Sequence, residues 1–278
     1  MDKSKEMISR IITYCILILF SLLTLLPLGW ILSSSIKRPN EIYATPPVWI
    51  PKSPTLSNYM QVLMESSIPK AFLNSLLVGL MVAIFSLVIG GFSAYAFSRY
   101  NFRGKNFLSI FLLLSQMFPL TVLMIPMFYM ENSMGLIDTK IGLVIAQMSV
   151  TLPMVIWMCR GYFNGLPKEL DEAAKIDGCG KLGTLARILL PLMRPSLAAT
   201  GIYAFISSWN EYPLANVLTR TENSKTVPLA LNDFSSFFEV NWGQTMAAAA
   251  LITLPIIILF LLVQKEFVAG LASGAVKG

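Results

Sequence analysis

The chain has 278 residues, of which 55% are hydrophobic and 13% are charged, and its mean hydropathy is +0.66. Soluble domains carry about 25% charged residues, so this composition disfavours a cytosolic enzyme and a disordered chain. Histidine is absent, which excludes histidine-based acid–base catalysis and HExxH-type zinc sites. The three cysteines show no paired spacing, so neither a disulfide framework nor a metal site is expected.

Six apolar stretches of about 20 residues use most of the chain, and each is long enough to cross roughly 30 Å of hydrocarbon. Residues 76–85 show no alternation of polar and apolar side chains, which favours helices over the strands of a membrane barrel. We therefore predict an all-α polytopic membrane protein with a single membrane domain over residues 1–278. The predicted transmembrane helices are at about 11–32, 71–97, 108–130, 141–159, 196–214 and 246–264.

Lysine and arginine are distributed unequally between the two sides of the predicted membrane domain. Of the 21 basic residues, 14 lie in the two terminal segments and the second and fourth loops, and 7 lie on the opposite side. Basic residues accumulate in loops on the cytoplasmic side. We therefore predict that both termini are cytoplasmic, and this topology accounts for most of the net charge of +6 without a nucleic-acid partner.

The two longest external loops differ in composition. The loop from about 33 to 70 is rich in proline and serine, and we expect it to be extended and packed on the membrane domain. The loop from about 215 to 245 is polar at first and then aromatic. Its aromatic residues are typical of an interfacial belt or of a contact surface for an external partner, and both interpretations stay open. These residues are Phe234, Phe237, Phe238 and Trp242.

A few polar residues fall near the interior or the ends of the predicted spans. A polar group in hydrocarbon is costly and usually faces a cavity or a neighbouring helix. These residues are therefore candidates for lining a path for a hydroxyl-rich solute, with hydrogen bonding between helices as the alternative. They are Asn74, Gln116, Gln147, Asn210 and Glu211.

The loop of residues 160–194 is long and contains the signatures of two short amphipathic helices. Pro167 suits the first position of a helix, and acidic residues follow it in the first turn. Gly178 suits the position just after a helix end, and a second helical pattern ends at Pro191. Two short helices joined at a glycine are typical of an element that docks in a partner's groove. A hairpin lying on its own membrane domain is the alternative.

This loop also resembles a known family. Residues 172–178 read Glu-Ala-Ala-Lys-Ile-Asp-Gly, and Leu190-Pro191 follows at the spacing of the EAA loop of ABC importer permeases. Cys179 and Leu185 depart from the alanine and phenylalanine that are usual there. Further segments resemble the carbohydrate branch of the maltose-permease type, which has six spans. They are Phe72-Leu73-Asn74-Ser75, residues 94–99, Trp209-Asn210-Glu211-Tyr212 and residues 270–278. We call residues 160–194 the EAA-like loop.

The resemblance implies a type I ABC importer permease fold, placed in the bacterial inner membrane, and assigns roles to two sets of residues. In this family the EAA helix is held in a cleft of the ATPase, and the C-terminal tail approaches the same partner. The residues implied in ATPase coupling are Glu172, Ala173, Ala174, Asp177 and Gly178. The residues implied in tail contact with the ATPase are Gly274, Lys277 and Gly278.

The resemblance also implies the function and the partners. The chain would be the permease subunit of an ATP-driven, binding-protein-dependent importer of an oligosaccharide or another carbohydrate. Its partners would be a second permease subunit in a heterodimer, two ATPase subunits, an extracytoplasmic solute-binding protein and membrane lipid. A self-sufficient secondary transporter or channel for a small polar solute is the alternative. That alternative predicts charged relay residues inside the spans, and almost none are present.

No ATPase motif is recognisable in the chain. Residues 178–183 match the glycine spacing of a dinucleotide-binding loop, but a predicted helix precedes them where that fold needs a strand. We therefore expect no enzyme activity, no catalytic residue and no metal or cofactor on this chain. ATP and Mg²⁺ would be bound by the partner ATPase subunits.

Overall fold

The structure is a computed structural model that describes the backbone of residues 3–234 and 240–275 and the side chains of residues 7, 9–234 and 240–264. Helices account for most of these residues. They are α1 (Lys3–Ser35), α2 (Pro39–Ile42), α3 (Ser57–Glu65), α4 (Ile68–Arg99), α5 (Lys105–Ser115), α6 (Leu120–Ser133), α7 (Lys140–Gly165), α8 (Glu169–Ile176), α9 (Lys181–Thr184), α10 (Leu190–Leu192), α11 (Arg194–Trp209), α12 (Pro213–Leu218), α13 (Val227–Leu231) and α14 (Trp242–Ala275). A π-helical turn (Leu185–Leu189) joins α9 to α10, so that Lys181–Leu192 form one segment.

The described residues confirm the all-α membrane class. Four helices are long and apolar enough to cross a bilayer: Ser9–Ser35 within α1, α4, α7, and Trp242–Gln264 within α14. Two further candidates are bent pairs. Helices α5 and α6 meet at 104°, and the segment Lys181–Leu192 meets α11 at 83°. Counting each bent pair as one span gives six candidate spans, the number that the sequence predicts.

The predicted span at 108–130 is not a straight helix. Residues 116–119 separate α5 from α6. Pro119 has no N–H to donate, and it disfavours the helical conformation in Phe118 before it. The predicted span at 196–214 is also interrupted. Helix α11 ends at Trp209, before the predicted end of the span, and Pro213 starts the separate helix α12.

The internal contacts divide the chain into two compact units, Met1–Pro69 with Leu231–Leu254, and Lys70–Ala230 with Pro255–Gly278. In the first unit, the loop after α1 is folded rather than extended, because it contains α2 and α3. Asn58 of α3 ties this loop to the end of α1 by donating to the carbonyls of Ser35 and Lys37, at 2.9 Å each.

Lys37 is a buried cation in the first unit. Its side chain is 1% exposed, and its ammonium lies 3.9 Å from the centre of the Trp30 ring. Burial lowers the pKa of Lys37, and the charge of Glu41 opposes this effect in part. The aromatic ring replaces some of the stabilisation that the ammonium loses with its water.

In the second unit, α4, α7 and α12 share a hydrophobic core. Their apolar side chains interdigitate, and partly buried residues of α6 such as Met124 and Phe128 pack against them. The core residues are Val78, Val82, Leu143, Val144, Ala146, Leu214, Ala215 and Leu218. The core fixes α4 beside α7, and this pair positions the features described below.

Small residues in α4 allow it to approach α7 closely. Gly90, Ala94 and Ser98 are spaced by four, a pattern that predicts tight helix packing. The structure confirms this prediction. A methyl group on Gly90 would lie 2.6 Å from Cγ1 of Val155, Ala94 is fully buried, and the Ser98 hydroxyl lies 2.7 Å from Oδ1 of Asn164.

The substitution Gly90→Ala is expected to destabilise the protein by about 1–3 kcal/mol, because the new methyl group overlaps Val155. A thermal unfolding series in detergent, read by the monodisperse fraction after heating, checks this expectation. Gly91→Ala is the matched control, since a methyl group there meets no atom within 4 Å. Equal melting temperatures for the two variants would contradict the packing described.

Candidate functional site

The EAA-like loop folds as a helix pair, α8 followed by the segment Lys181–Leu192. Gly178 ends α8 in the left-handed conformation, with φ +78°. The amide of Cys179 donates to the carbonyl of Ala174 at 2.8 Å, and the amide of Gly178 donates to that of Lys175 at 3.1 Å. These two bonds form a Schellman motif, which needs a residue tolerant of positive φ at the Gly178 position.

The residues implied in coupling lie mostly on the open side of α8. Glu172, Ala173, Asp177 and Gly178 are exposed, whereas Ala174 is only 1% exposed and packs inside the chain. Small alanine side chains permit the close approach of a partner, and of these two alanines only Ala173 is accessible to one.

Ile176 extends this open face. Its side chain is 87% exposed, the largest exposed fraction among the large hydrophobic side chains that the structure describes. The residue was not singled out from the sequence, although its position three residues after Ala173 indicated the same face. The Ile176 side chain is therefore almost free of contacts within the described part of the chain and is available to another molecule.

The second helix of the pair departs from the predicted amphipathic face. The sequence pattern places Leu182, Leu185, Ala186 and Leu189 on one face. Leu185 and Leu189 are buried, as this predicts, but Ala186 is exposed and Leu182 is 70% exposed. The π-helical turn at Leu185–Leu189 changes the helical period, so Leu182 does not share the face of the later leucines.

Arg99, at the C-terminal end of α4, holds the helix pair. Its Nε lies 2.9 Å from Oδ2 of Asp171 in α8, and the two side chains are 7% and 18% exposed. Its Nη2 also donates to the carbonyl of Leu166 at 3.0 Å. Next to it, the Tyr100 ring lies 4.9 Å from the ammonium of Lys181. The end of α4 thus contacts both helices of the pair, beside a cleft of about 420 Å³ that Arg99, Tyr100, Asp171 and Lys181 help to line.

Two of the five polar candidates in the spans form one network. The amide of Gln147 donates to Oε2 of Glu211 at 3.3 Å, and the Ser208 hydroxyl donates to Oε1 of Gln147. Glu211 also accepts from the amides of Leu214 at 2.6 Å and Ala215 at 3.0 Å. The carboxylate therefore caps the first turn of α12 and links it to α7.

The other three candidates are separate from this network. Asn74, which is 3% exposed, donates to the carbonyls of Lys225 at 2.9 Å and Glu222 at 3.3 Å. Gln116 lies at the bend between α5 and α6 and donates to the carbonyl of Val150 at 3.1 Å. Asn210 is exposed. The lining role of all five residues stays a prediction.

Residues 219–227, a mostly polar loop that ends at the first residue of α13, are anchored at one aspartate. Asp138 precedes α7 and has φ +62°. Its carboxylate accepts hydrogen bonds from the amides of Arg220 and Thr221, at 3.0 Å each, and from the hydroxyls of Thr221 and Ser224. Burial opposes the ionisation of Asp138, but these bonds outweigh it and hold its pKa well below the ordinary range. Nothing in the sequence singled out Asp138.

The remaining predicted contact residues lie toward the end of the chain. Trp242 begins α14 and is 44% exposed. Gly274 belongs to the described backbone of α14, while Lys277 and Gly278 lie outside the described residues, as do Phe237 and Phe238. The expected contact of the tail with an ATPase therefore stays a prediction.

Known proteins resemble this chain over most of its length. Residues 86–272 match the family described as binding-protein-dependent transport system inner membrane component. The diacetylchitobiose uptake system permease protein DasC of Streptomyces coelicolor is 35% identical over 91% of both chains. The trehalose/maltose transport system permease protein MalG of Thermococcus litoralis is 35% identical over 99% of both.

Among solved structures, a chain from a bacterial ABC transporter involved in import of the acidic polysaccharide alginate superimposes with a TM-score of 0.82. It is 26% identical, and the match covers 96% of this chain and 99% of that one. The similarity therefore extends over nearly the whole of both chains, and the family match over residues 86–272 includes α8 and the rest of the EAA-like loop.

Proposed function

Because the chain belongs to the binding-protein-dependent transport system inner membrane component family, we propose that it is the permease subunit of an ATP-driven carbohydrate importer. The family and the apolar helices make it a multi-pass protein of the inner membrane. The resemblance to ABC importer permeases seen in the sequence is confirmed at this level. Its relatives are transport permeases rather than enzymes.

The substrate we propose is an oligosaccharide or another carbohydrate. Diacetylchitobiose, trehalose or maltose, and alginate are the solutes named for the similar proteins, and all of them are saccharides.

The observation that carries the coupling proposal is the open face of α8. Ala173, Ile176 and Asp177 are exposed on a short helix whose end is fixed by Gly178. An apolar side chain beside a small one fits a groove in a partner. We propose that an ATPase subunit supplies this groove, and that ATP and Mg²⁺ are bound by the ATPase subunits rather than by this chain.

For the transport cycle we propose the sequence of events that the resemblance to ABC importer permeases implies. Closure of the ATPase dimer would draw the helix pairs of two permease subunits together and open the path outward. The N- and C-terminal segments and the EAA-like loop would then be cytoplasmic, as the distribution of basic residues predicts. The loop of residues 219–227 would face the solute-binding protein on the other side.

A self-sufficient secondary transporter would require an ion relay inside the membrane. Glu211 is the ionisable candidate that the sequence offers, but its carboxylate is occupied by the amides of Leu214 and Ala215 and by Gln147. This arrangement suits a structural cap better than a group that binds and releases ions.

An uptake experiment tests the proposed function. The chain would be reconstituted in proteoliposomes with the permease, the ATPase and the binding protein encoded beside it. We expect labelled maltose, trehalose or diacetylchitobiose to accumulate only when both ATP and the binding protein are present. Accumulation without the ATPase, driven by an ion gradient, would contradict the proposal, as would uptake of amino acids but of no saccharide.

A further inference from the structure

The cleft beside the end of α4 is lined by more basic than acidic side chains. It has a volume of about 420 Å³ and lies between α4, α8 and the segment Lys181–Leu192. Pockets that bind small molecules have volumes of roughly 300–1,000 Å³, so the cleft has room for such a ligand. The charged side chains in its lining are Arg99, Lys168, Asp171, Glu172, Lys175 and Lys181.

Three of these basic side chains have no acidic partner. Arg99 is paired with Asp171, whereas the ammonium groups of the lysines form no ion pair and no hydrogen bond within the described part of the chain. Lys181 lies against the Tyr100 ring, which attracts its charge but supplies no acceptor oxygen. Glu172 is exposed and is likewise unpaired among the described residues. Three such ammonium groups around one cleft favour an anionic ligand with several oxygen atoms.

The cleft lies on a different side of α8 from the proposed docking surface for the ATPase. Lys168 and Lys175 are seven residues apart, which is almost two helical turns, so both lie on the same side of this helix. Ala173, Ile176 and Asp177 project about a third of a turn away from that side. The lysines of the cleft therefore lie outside the surface that we propose for the ATPase.

Lysine, rather than arginine, supplies the free positive charge of the cleft. The planar guanidinium of Arg99 would match a carboxylate, but it is already bound to Asp171 and to the carbonyl of Leu166. Lysine ammonium groups bind phosphate as compact charges, and each has three donors that can reach different oxygens. The free donors therefore suit a phosphate group better than a planar carboxylate.

We propose that the cleft binds a phosphate group, held by Lys168 and Lys175 on the side of α8 and by Lys181 of the second segment. Two sources can supply this group on the proposed cytoplasmic side, an anionic phospholipid headgroup and a soluble phosphorylated solute. Basic pockets between helices on that side of a membrane bind lipid headgroups. Because the lysines come from both helices of the pair, a bound phosphate would bridge them. The site belongs to this chain alone and goes beyond the proposed function.

Protection of the lysines from acetylation tests this site. The full chain is placed in nanodiscs of phosphatidylcholine and treated briefly with acetic anhydride, and mass spectrometry gives the acetylation rate of each lysine. Glucose 6-phosphate is the soluble probe. At about ten times its dissociation constant it leaves about one site in ten empty, so we expect about tenfold slower acetylation of Lys168, Lys175 and Lys181. Lys52, which is exposed in the loop after α1, is the internal control and should react at the same rate throughout.

Lipid composition distinguishes the two sources. In nanodiscs that contain phosphatidylglycerol but no soluble probe, a headgroup site predicts the same protection of the three lysines. A site for a soluble solute predicts protection by glucose 6-phosphate alone, in either kind of nanodisc. Protection in one arm or in both supports the inference and identifies the source.

Cys179 gives a second measurement, because it lines the same cleft and is partly exposed. We expect the protecting ligand to slow its alkylation by N-ethylmaleimide. In the double variant Lys175→Gln with Lys181→Gln this effect should fall to less than about twofold, since two of the three charged contacts to the ligand are lost. Arg187→Gln is the matched control, as Arg187 is an exposed basic residue of the same segment outside the lining.

Three results would overturn the inference. The first is equal acetylation of the three lysines with and without the probe in both kinds of nanodisc. The second is equal protection by sodium chloride at the same ionic strength, because it would show screening rather than binding. The third is full protection of Cys179 in the double variant. None of these results involves the ATPase, so the proposed function is tested separately by the uptake experiment.

Discussion

Gly178→Asp is expected to reduce the amount of ATPase that copurifies with this chain by about 30-fold, the size typical of an interface hot spot. Gly178 has φ +78° at the end of α8, a conformation that aspartate tolerates better than most side chains but less well than glycine. The change also adds a negative charge beside Asp177 on the face that we propose docks. Affinity purification through a tag on this chain, with quantification of bound ATPase, measures the effect.

The matched control for this variant is Gly180→Ala. Gly180 is exposed in the same turn, but its φ is −70° and a methyl group there meets no atom within 4 Å. It should therefore retain full capture, while Asp177→Arg should lose it as Gly178→Asp does. Full capture and uptake in both Gly178→Asp and Asp177→Arg would show that the EAA-like loop does not dock the ATPase.

Glu211→Gln is expected to lower the initial rate of saccharide uptake by about tenfold or more. The carboxylate accepts from the amides of Leu214 and Ala215, and hydrogen bonds to a charged group contribute about 1.5–3 kcal/mol each. A glutamine keeps one acceptor oxygen but turns an NH₂ group toward one of these amides. Uptake per folded complex in proteoliposomes measures the effect on transport.

The thermal stability of the same Glu211→Gln sample shows whether Glu211 acts by capping α12 or by lining the transport path. Glu222→Gln is the control, since Glu222 forms an exposed ion pair with Lys225 that contributes about 0–1 kcal/mol. A Glu211→Gln protein with lower stability but unchanged uptake would remove Glu211 from the transport path. If both stability and uptake were unchanged, the capping role of the Glu211 hydrogen bonds would also be contradicted.

The sequence was sufficient to predict the class of fold, because the length of an apolar run needs no knowledge of its neighbours. It did not predict the bend at residues 116–119. Hydropathy is averaged over many residues, so a single proline such as Pro119 hardly changes the value for an otherwise apolar stretch. The sequence also predicted one helix end. Gly178 was placed correctly after α8, because a glycine just after an amphipathic helical pattern is a local signal of the left-handed conformation that ends a helix.

The tertiary contacts of the site could not be read in the same way. Arg99 contributes to the count of basic residues that gave the topology, and its pairing with Asp171 depends on how α4 and α8 meet in space. Asp138 binds the amide of Arg220, 82 positions further along the chain. One sequence contains no signal that relates such positions, so both anchors were found only in the structure.

The central claim is that α8 is the surface on which an ATPase subunit docks. A photo-crosslinking side chain placed at Ile176, which is 87% exposed, tests it directly in the assembled complex. The control position is Ile50, which is 83% exposed in the loop predicted to be external. We predict an adduct with the ATPase from position 176 and none from position 50. An ATPase adduct from position 50 and none from position 176 would contradict both the docking surface and the predicted topology.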